Sequence, residues 1–265
     1  MTACRIGIMG CGGRMGKLLI AEVLATPGAV LAGGTTASAA GRDLAEIAGL
    51  PAIGIAGTAD AEAVIGACDV VIDFTTPAAT ARHAAAAARL GTALVIGTTG
   101  LDGAAHAAID AAAAAVQVVA APNMSLGVNL LLGLVEQVAR RLDAGYDIEI
   151  VETHHRHKVD APSGTALGLG LAAAAGRGVE LDAVAIRSRD GHTGPRPVGS
   201  IGFAALRGGD VVGDHTVMFA GEGERLELTH RAGDRRIYAR GAVRAALWTV
   251  GRSAGLYGMR DVLGL

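Results

Sequence analysis

The sequence predicts an α/β chain in two parts: a parallel sheet covered by helices, then a second α+β domain whose sheet is mixed and mostly antiparallel. Two patterns predict it. Over the first half, short apolar runs alternate with alanine-rich helical stretches, and the runs end in small or polar loops such as Asp73-Phe-Thr-Thr76 and Gly97-Thr-Thr-Gly100. From Val184 onward, apolar runs follow one another with Gly/Asp turns between several of them and no helix-length gap, which implies antiparallel pairing. Composition supports both parts. The 265 residues are 51% hydrophobic and 18% charged, enough apolar surface for a sizeable core and too little charge for disorder.

Taken in order, Arg5-Ile-Gly-Ile-Met is a strand. It opens into Gly10-Cys-Gly-Gly-Arg-Met-Gly16, and Lys17 onward reads as a helix. Strand, glycine-rich turn and helix form the context of a dinucleotide-binding, Rossmann-type domain. Gly10 and Gly12 allow the tight turn, Gly13 a close approach to a pyrophosphate, and Gly16 the packing of helix on sheet. Ala29-Val-Leu-Ala-Gly is the second strand. Cys68 to Asp73, Thr92 to Ile96 and Val116 to Ala121 are the next three, and Pro77 starts a helix. The loops after these strands, including Pro122-Asn-Met-Ser125, lie at the carboxyl edge of the sheet, where open α/β folds bind ligands. Asp73 and Ser125 there read equally well as helix caps.

Gly127 to Leu142 is helical, with Val128, Leu131, Leu132, Val135 and Val138 near a 3.6 period. Tyr146 to Val151 alternates as a half-buried strand. It leads into Glu152-Thr-His-His-Arg-His-Lys-Val-Asp-Ala-Pro-Ser-Gly-Thr165, which holds three of the eight histidines within four residues. A helix follows from Thr165 to about Ala175. Strands are then expected at Val184–Arg189, Ser200–Leu206, Val211–Phe219 and Arg225–His230, with a loop at 190–197 and a last helix from Ile237 to about Ser253.

Several classes are disfavoured. A net charge of -2 and a pI near 6.4 argue against bulk binding to nucleic acid or a membrane surface. Aromatics at 3% are too few for a base-stacking platform. Cys4, Cys11 and Cys68 have no CxxC spacing and suggest reduced thiols. Met1-Thr-Ala-Cys-Arg runs straight into a strand, and the alanine-rich stretches are broken by Arg82, His83, Arg89 and Asp110. The expectation is therefore a cytoplasmic protein without membrane spans.

These residues together resemble the dihydrodipicolinate reductase family. The likeness is carried by Gly10-Cys-Gly-Gly-Arg-Met-Gly16, Asp73-Phe-Thr75, Gly97-Thr-Thr-Gly100, Pro122-Asn-Met-Ser125 and, most specifically, the segment Glu152 to Thr165. Ser188-Arg-Asp-Gly-His-Thr-Gly, Gly202-Phe-Ala and Gly255-Leu-Tyr-Gly-Met-Arg-Asp-Val-Leu add to it, so it runs from end to end. The resemblance implies a dinucleotide-binding domain at 1–125 and 236–265, and a substrate-binding and oligomerisation domain at 126–235 that builds a homotetramer. It implies hydride transfer from NADPH or NADH to 4-hydroxy-tetrahydrodipicolinate, a small dicarboxylate, with loss of water. By position it implies His154 and Lys158 as catalytic proton carriers, and His155, Ser163, Gly164 and Thr165 as substrate contacts. It places Gly10, Cys11, Gly12, Gly13, Arg14, Met15, Phe74, Gly97, Thr98, Thr99, Ala121, Pro122, Asn123 and Met124 at the cofactor, with no metal.

The chemistry agrees with those roles. Hydride addition to a conjugated imine leaves an anionic centre, which needs a proton from a group titrating near working pH or from a nearby ammonium. Lys158 can supply one and pair with a carboxylate, while Thr165 at a helix start offers N–H and O–H donors to an anion. Two rivals are weaker. A metal on His155 and His157 would lack a second ligand cluster and be repelled by Lys158. A nucleotide sensor or another reductase of this fold gives no reason for the His154–Lys158 segment.

One position departs from the commoner family pattern. The acid expected after the second strand, which would bind the adenosine ribose and repel a 2′-phosphate, is Thr36 here, and no acid follows until Asp43. With Thr35, Thr36 and Ser38 offering hydroxyls, and Arg14 and Lys17 positive charge, NADPH is expected to be favoured over NADH unless Asp43 replaces the missing acid.

Overall fold

The computed structural model describes residues 3–265, so Met1-Thr2 of the reading above lies outside the described residues. In chain order the elements are β1 (Cys4–Met9), α1 (Arg14–Ala25), β2 (Ala29–Gly34), α2 (Leu44–Ile47), α3 (Ala61–Gly66), β3 (Val70–Asp73) and α4 (Pro77–Leu90). Then come β4 (Ala93–Ile96), α5 (Gly103–Ala113), β5 (Gln117–Ala120), α6 (Leu126–Arg141), β6 (Asp147–His154), α7 (Gly164–Arg177), α8 (Leu181–Val184) and β7 (Ala185–Ile186). The chain closes with β8 (Ile201–Arg207), β9 (Gly213–Ala220), β10 (Arg225–Ala232), α9 (Arg236–Thr249), β11 (Gly255–Tyr257) and α10 (Met259–Leu263). It divides into two compact units: residues up to Leu126 together with Arg235–Leu265, and Gly127–Asp234.

The first unit is built on a six-stranded sheet of order β11-β5-β4-β3-β1-β2, parallel at every pairing. Its inner strands β3 and β4 are buried along their whole length, because helices cover both faces; they are accordingly continuous apolar runs rather than alternating ones. The order reverses about β1, so a crevice opens outside the carboxyl ends of β1 and β3. The tail returns to this unit. Ala239, Ala242, Val243 and Ala246 of α9 join Ile8, Val95 and Met124 in one core. Gly241 of α9 is required there, since a Cβ would overlap the Met124 carbonyl oxygen. β11 pairs with β5 and was not foreseen: three residues are too few to show a period.

The second unit carries a five-stranded sheet of order β10-β9-β6-β8-β7. The pairings β10–β9 and β9–β6 are antiparallel, while β6–β8 and β8–β7 are parallel. β6 and β8 run parallel with α7 between them in the chain, the crossover a parallel pair needs, while β7 and β8 are joined by the long loop 187–200. Ile148, Ile150, Leu169, Phe203, Val217 and Phe219 form its core. The strand expected at Val184–Arg189 shrinks to Ala185–Ile186. Arg189 instead makes a two-pronged ion pair with Glu149, and Arg196 bonds Glu149, Asp147 and the carbonyls of Ile148 and Ser200. Among the described residues, no helix is long and apolar enough to cross a membrane.

Candidate active site

β6 runs three residues beyond the stretch whose alternation was legible, and that extension builds the site. Its pleat turns Ile148, Ile150, Glu152 and His154 to the same buried face. An apolar face thus ends in a carboxylate and an imidazole. Glu152 is only 1% exposed. Such a charge is tolerated only when paired and fully hydrogen-bonded. Arg207 of β8, opposite His154 in the ladder, donates to both carboxylate oxygens at 2.8 Å. The Ser163 amide donates to one oxygen at 3.1 Å, and His154 Nδ1 lies 2.6 Å from the other. Burial alone would raise the Glu152 carboxyl, but the hydrogen bonds from Arg207, His154 and Ser163 outweigh it and hold the group below the usual range.

With Nδ1 on a carboxylate, the proton of neutral His154 sits on Nδ1 and Nε2 is left as the working nitrogen. Gly213 borders that nitrogen: a Cβ there would lie 2.9 Å from Nε2. Lys158, in the turn after β6, holds Asp160 with Nζ at 2.8 and 3.0 Å from its two oxygens. The Lys158 hydrogen bond draws the Asp160 carboxyl below its usual range. Ser163 caps α7, accepting from the Ala166 amide at 3.1 Å, and its hydroxyl is 3.0 Å from His215 Nε2. Its amide is engaged by Glu152, so Ser163 holds the start of α7 in place. Gly164 faces open space and Thr165 is half-buried, both in the first turn of α7, where backbone N–H groups suit an anion. His155 is half-buried beside the exposed His157, their ring centres 6.3 Å apart.

Sequence reading missed Glu152 as the hub, and it missed Arg207, His215 and His230. The period-2 pattern could have placed Glu152 and His154 on one face. The others needed the register, which sets His215 opposite Glu152 and His230 opposite His215. His215 packs edge-on to His154, 5.0 Å between ring centres. Its Nδ1 is buried without a partner among the described residues. Desolvation, aided by the neighbouring His154, lowers its pKa to about 4. The folded state therefore refuses a proton that the unfolded chain accepts below about 6.5. Stability should fall as pH drops from about 6.5 toward about 4, by up to about 3 kcal/mol from this residue. Urea unfolding of wild type and His215→Asn across that window checks it: the variant should lose most of the slope, and an unchanged slope would refute the assignment.

In the first unit the residues expected at the cofactor lie in the loops that follow the carboxyl ends of the strands. Gly10 has φ +84 and donates its N–H to Thr35 Oγ1 at 2.9 Å. A Cβ at Gly16 would overlap the Gly10 carbonyl and crowd Cys11, so this glycine seats α1 on the turn rather than on the sheet. Gly12 does not take a positive φ; its missing Cβ leaves room for Thr36 and Ser38. α1 begins after Gly13 with no side-chain cap and no acid in its first turn, leaving its amide end suited to a pyrophosphate. Arg14 is exposed, and Met15 packs against the core. Cys11 is turned inward with Sγ 3.3 Å from the Ile8 carbonyl, and burial pushes its thiol up to about 12. The Cys11 thiol is therefore buried rather than open to a ligand.

The Phe74 ring lies where a Cβ of Gly97 would be. Thr98 is buried, its hydroxyl accepting from the Thr75 amide at 3.1 Å and lying 2.9 Å from Thr80 Oγ1, whereas Thr99 is exposed. Asp73 is neither helix cap nor exposed ligand. It accepts from the Thr75 amide and hydroxyl at 2.9 and 2.6 Å and meets His83 Nδ1 at 2.8 Å, tying the loops after β3 and β4 together. Ala121 donates its amide to Ile96, Pro122 is exposed, Asn123 Oδ1 accepts from the buried Ser125 amide, and Met124 is buried under α9.

Thr36 is 3% exposed, and among the described residues its buried hydroxyl has no partner. It lines a cavity of about 440 Å³ with Gly10, Thr75, Arg82 and His83. Asp43 does not replace the missing acid. Its carboxylate caps α2 through the Ala45 and Glu46 amides and also takes those of Ile53, Gly54 and Ile55. Nor do Arg14 or Lys17 line the cavity; its cation is Arg82 of α4. An unsatisfied hydroxyl, an uncapped helix and a crevice at the strand ends fit a dinucleotide.

Comparison with known proteins agrees. The family model described as dihydrodipicolinate reductase, N-terminus, matches residues 4–124, and the C-terminus model matches 127–263. A 4-hydroxy-tetrahydrodipicolinate reductase of Rhodopseudomonas palustris (strain BisB18) is 55% identical over 100% of this chain and 99% of its own length. One from Aromatoleum aromaticum is 54% identical over 100% of this chain and 97% of that protein. Among solved structures, dipicolinate-bound dihydrodipicolinate reductase from Paenisporosarcina sp. TG-14 shares the fold, with a TM-score of 0.78 and 24% identity over 98% of this chain and 99% of that one. The chain belongs to the dihydrodipicolinate reductase family.

Proposed function

We propose that the chain reduces 4-hydroxy-tetrahydrodipicolinate with NAD(P)H and releases water, forming tetrahydrodipicolinate on the route to diaminopimelate and lysine. The observation that carries this reading is the second unit's juxtaposition of the Glu152-held His154, Lys158 and the open first turn of α7. The bound cofactor supplies the hydride. The chain's residues do the rest. Gly164 and Thr165 receive a substrate carboxylate at the helix start, and Lys158 exchanges Asp160 for substrate. His154, its Nδ1 fixed by Glu152, holds or moves a proton at Nε2, and Lys158 delivers the ammonium proton to the carbanion-like centre. In a coupled assay, reduced cofactor should be consumed only with dihydrodipicolinate synthase, pyruvate and aspartate semialdehyde all present. Cofactor binding without that turnover would overturn the proposal.

The reading extends to cofactor choice. No carboxylate stands at Thr36 to bind the ribose hydroxyls, and Asp43 is committed to backbone amides. NADPH is expected to exceed NADH in kcat/KM by roughly tenfold, a difference of about 1.4 kcal/mol. Thr36→Glu should reverse it; a wild type that prefers NADH would refute this reading. We also propose a cytoplasmic homotetramer assembled through the second unit, to be checked by light scattering against the 26.4 kDa chain mass. A monomer at working concentration would exclude it.

A further inference from the structure

On the reading that the chain binds NAD(P)H, we propose that Arg82 of α4, and not a residue of the loop after β2, supplies the counter-charge for the 2′-phosphate of NADPH and sets cofactor choice. The loop after β2 runs Thr35-Thr-Ala-Ser-Ala-Ala-Gly41 and carries no charge. Among the described residues, the Thr36 hydroxyl of this loop is buried without a partner, and Thr36 lines the cavity at the strand ends. The wall facing that group comes from a helix. Ala79, Arg82, His83 and Ala86 are spaced i, i+3, i+4 and i+7, so α4 turns one stripe to the cavity. The two alanines leave width for a flat ring, and Arg82 puts a guanidinium at the edge.

Arg82 is placed to act there. It is exposed, and among the described residues it makes one hydrogen bond, to the Ala78 carbonyl at 3.0 Å. Most of its five N–H donors remain for an oxyanion, and a guanidinium binds phosphate in two-pronged fashion. Its neighbour His83 is tied to the buried Asp73 at 2.8 Å, which fixes this turn of α4 against the sheet. The one carboxylate lining the cavity, Glu62 of α3, would repel a phosphate or accept from a ribose. It is already paired with Arg89, one turn beyond Ala86 on the same helix, at 2.7 Å. Among the described residues, the cavity therefore offers a dianion the Arg82 guanidinium and the orphan Thr36 hydroxyl, while its carboxylate is paired with Arg89.

The test compares wild type, Arg82→Ala, Arg82→Lys and Glu62→Gln. Arg82→Ala should lower kcat/KM for NADPH by about tenfold, the scale of one exposed charge-assisted hydrogen bond, and leave NADH within about twofold. Arg82→Lys should recover part of the loss, and Glu62→Gln should leave NADH unchanged. Calorimetric binding of 2′,5′-ADP, which needs no turnover, should weaken with Arg82→Ala while binding of 5′-ADP does not. Equal losses for both cofactors, an unchanged 2′,5′-ADP affinity, or a selective NADH loss in Glu62→Gln would each overturn the assignment. A wild type that prefers NADH, yet loses NADPH activity selectively in Arg82→Ala, would refute the tenfold preference argued above and leave Arg82 assigned.

Discussion

Replacing Lys158 by Ala is expected to lower kcat by about 10²-fold or more, the usual scale of a lost proton donor. NADPH affinity should stay within about twofold, because the dinucleotide residues belong to the other unit. Lys158 is anchored at its base by its own amide on the His155 carbonyl, and at its tip by Asp160. The ammonium is thus held next to the start of α7 before any substrate arrives. Removing it deletes a proton and a carboxylate partner together, so kcat falls and KM rises. Lys158→Arg separates the two roles. A guanidinium keeps the charge but does not give up a proton at working pH, so the Arg variant should regain KM and not kcat. Steady-state kinetics of both variants decide it. A Lys158→Ala enzyme near wild type in kcat would show that the proton comes from elsewhere.

Glu152→Gln should cost about 3–5 kcal/mol of stability, the scale for breaking a buried ion pair on one side, out of a total of roughly 5–15 for a domain. The change keeps volume and shape. It strips the charge from a carboxylate that takes two bonds from Arg207, one from the Ser163 amide and one from His154. An amide cannot accept all four, and its NH₂ would face another donor. Arg207 is then left without its counter-charge, and α7 loses the tie at its N-cap. His154 also loses the partner that fixes its tautomer, so the pH profile of kcat should move as well as the urea midpoint. A Gln variant within about 1 kcal/mol of wild type, with an unmoved pH profile, would mean that Glu152 only fills space.

The first unit was legible because its signals are local. Strand, glycine turn and helix repeat within tens of residues, and each loop's chemistry is written next to the strand that ends in it. Pro77 and the caps at Thr76 and Ser163 obey rules that span four residues. β11, α2 and α3 are too short to leave a period, and they went unread.

By itself, the sequence determined the two-part α/β architecture, the dinucleotide turn, and His154 and Lys158 as the residues to test. Tertiary structure alone decided what surrounds them. Glu152 becomes a hub only when β8 brings Arg207 beside it and α7 brings the Ser163 amide, partners 55 and 11 residues away. His215 loses its proton affinity only because the ladder buries it beside His154 and His230, an effect that the nearby Glu152 opposes without cancelling. Thr36 looked like the neighbour of Arg14, yet the cavity it lines is shared with Arg82 of α4. The physical reason is the same in each case. Periodicity and capping act through bonds between near neighbours in the chain, whereas charge pairing, desolvation and cavity walls depend on distances that only strand register and helix packing establish.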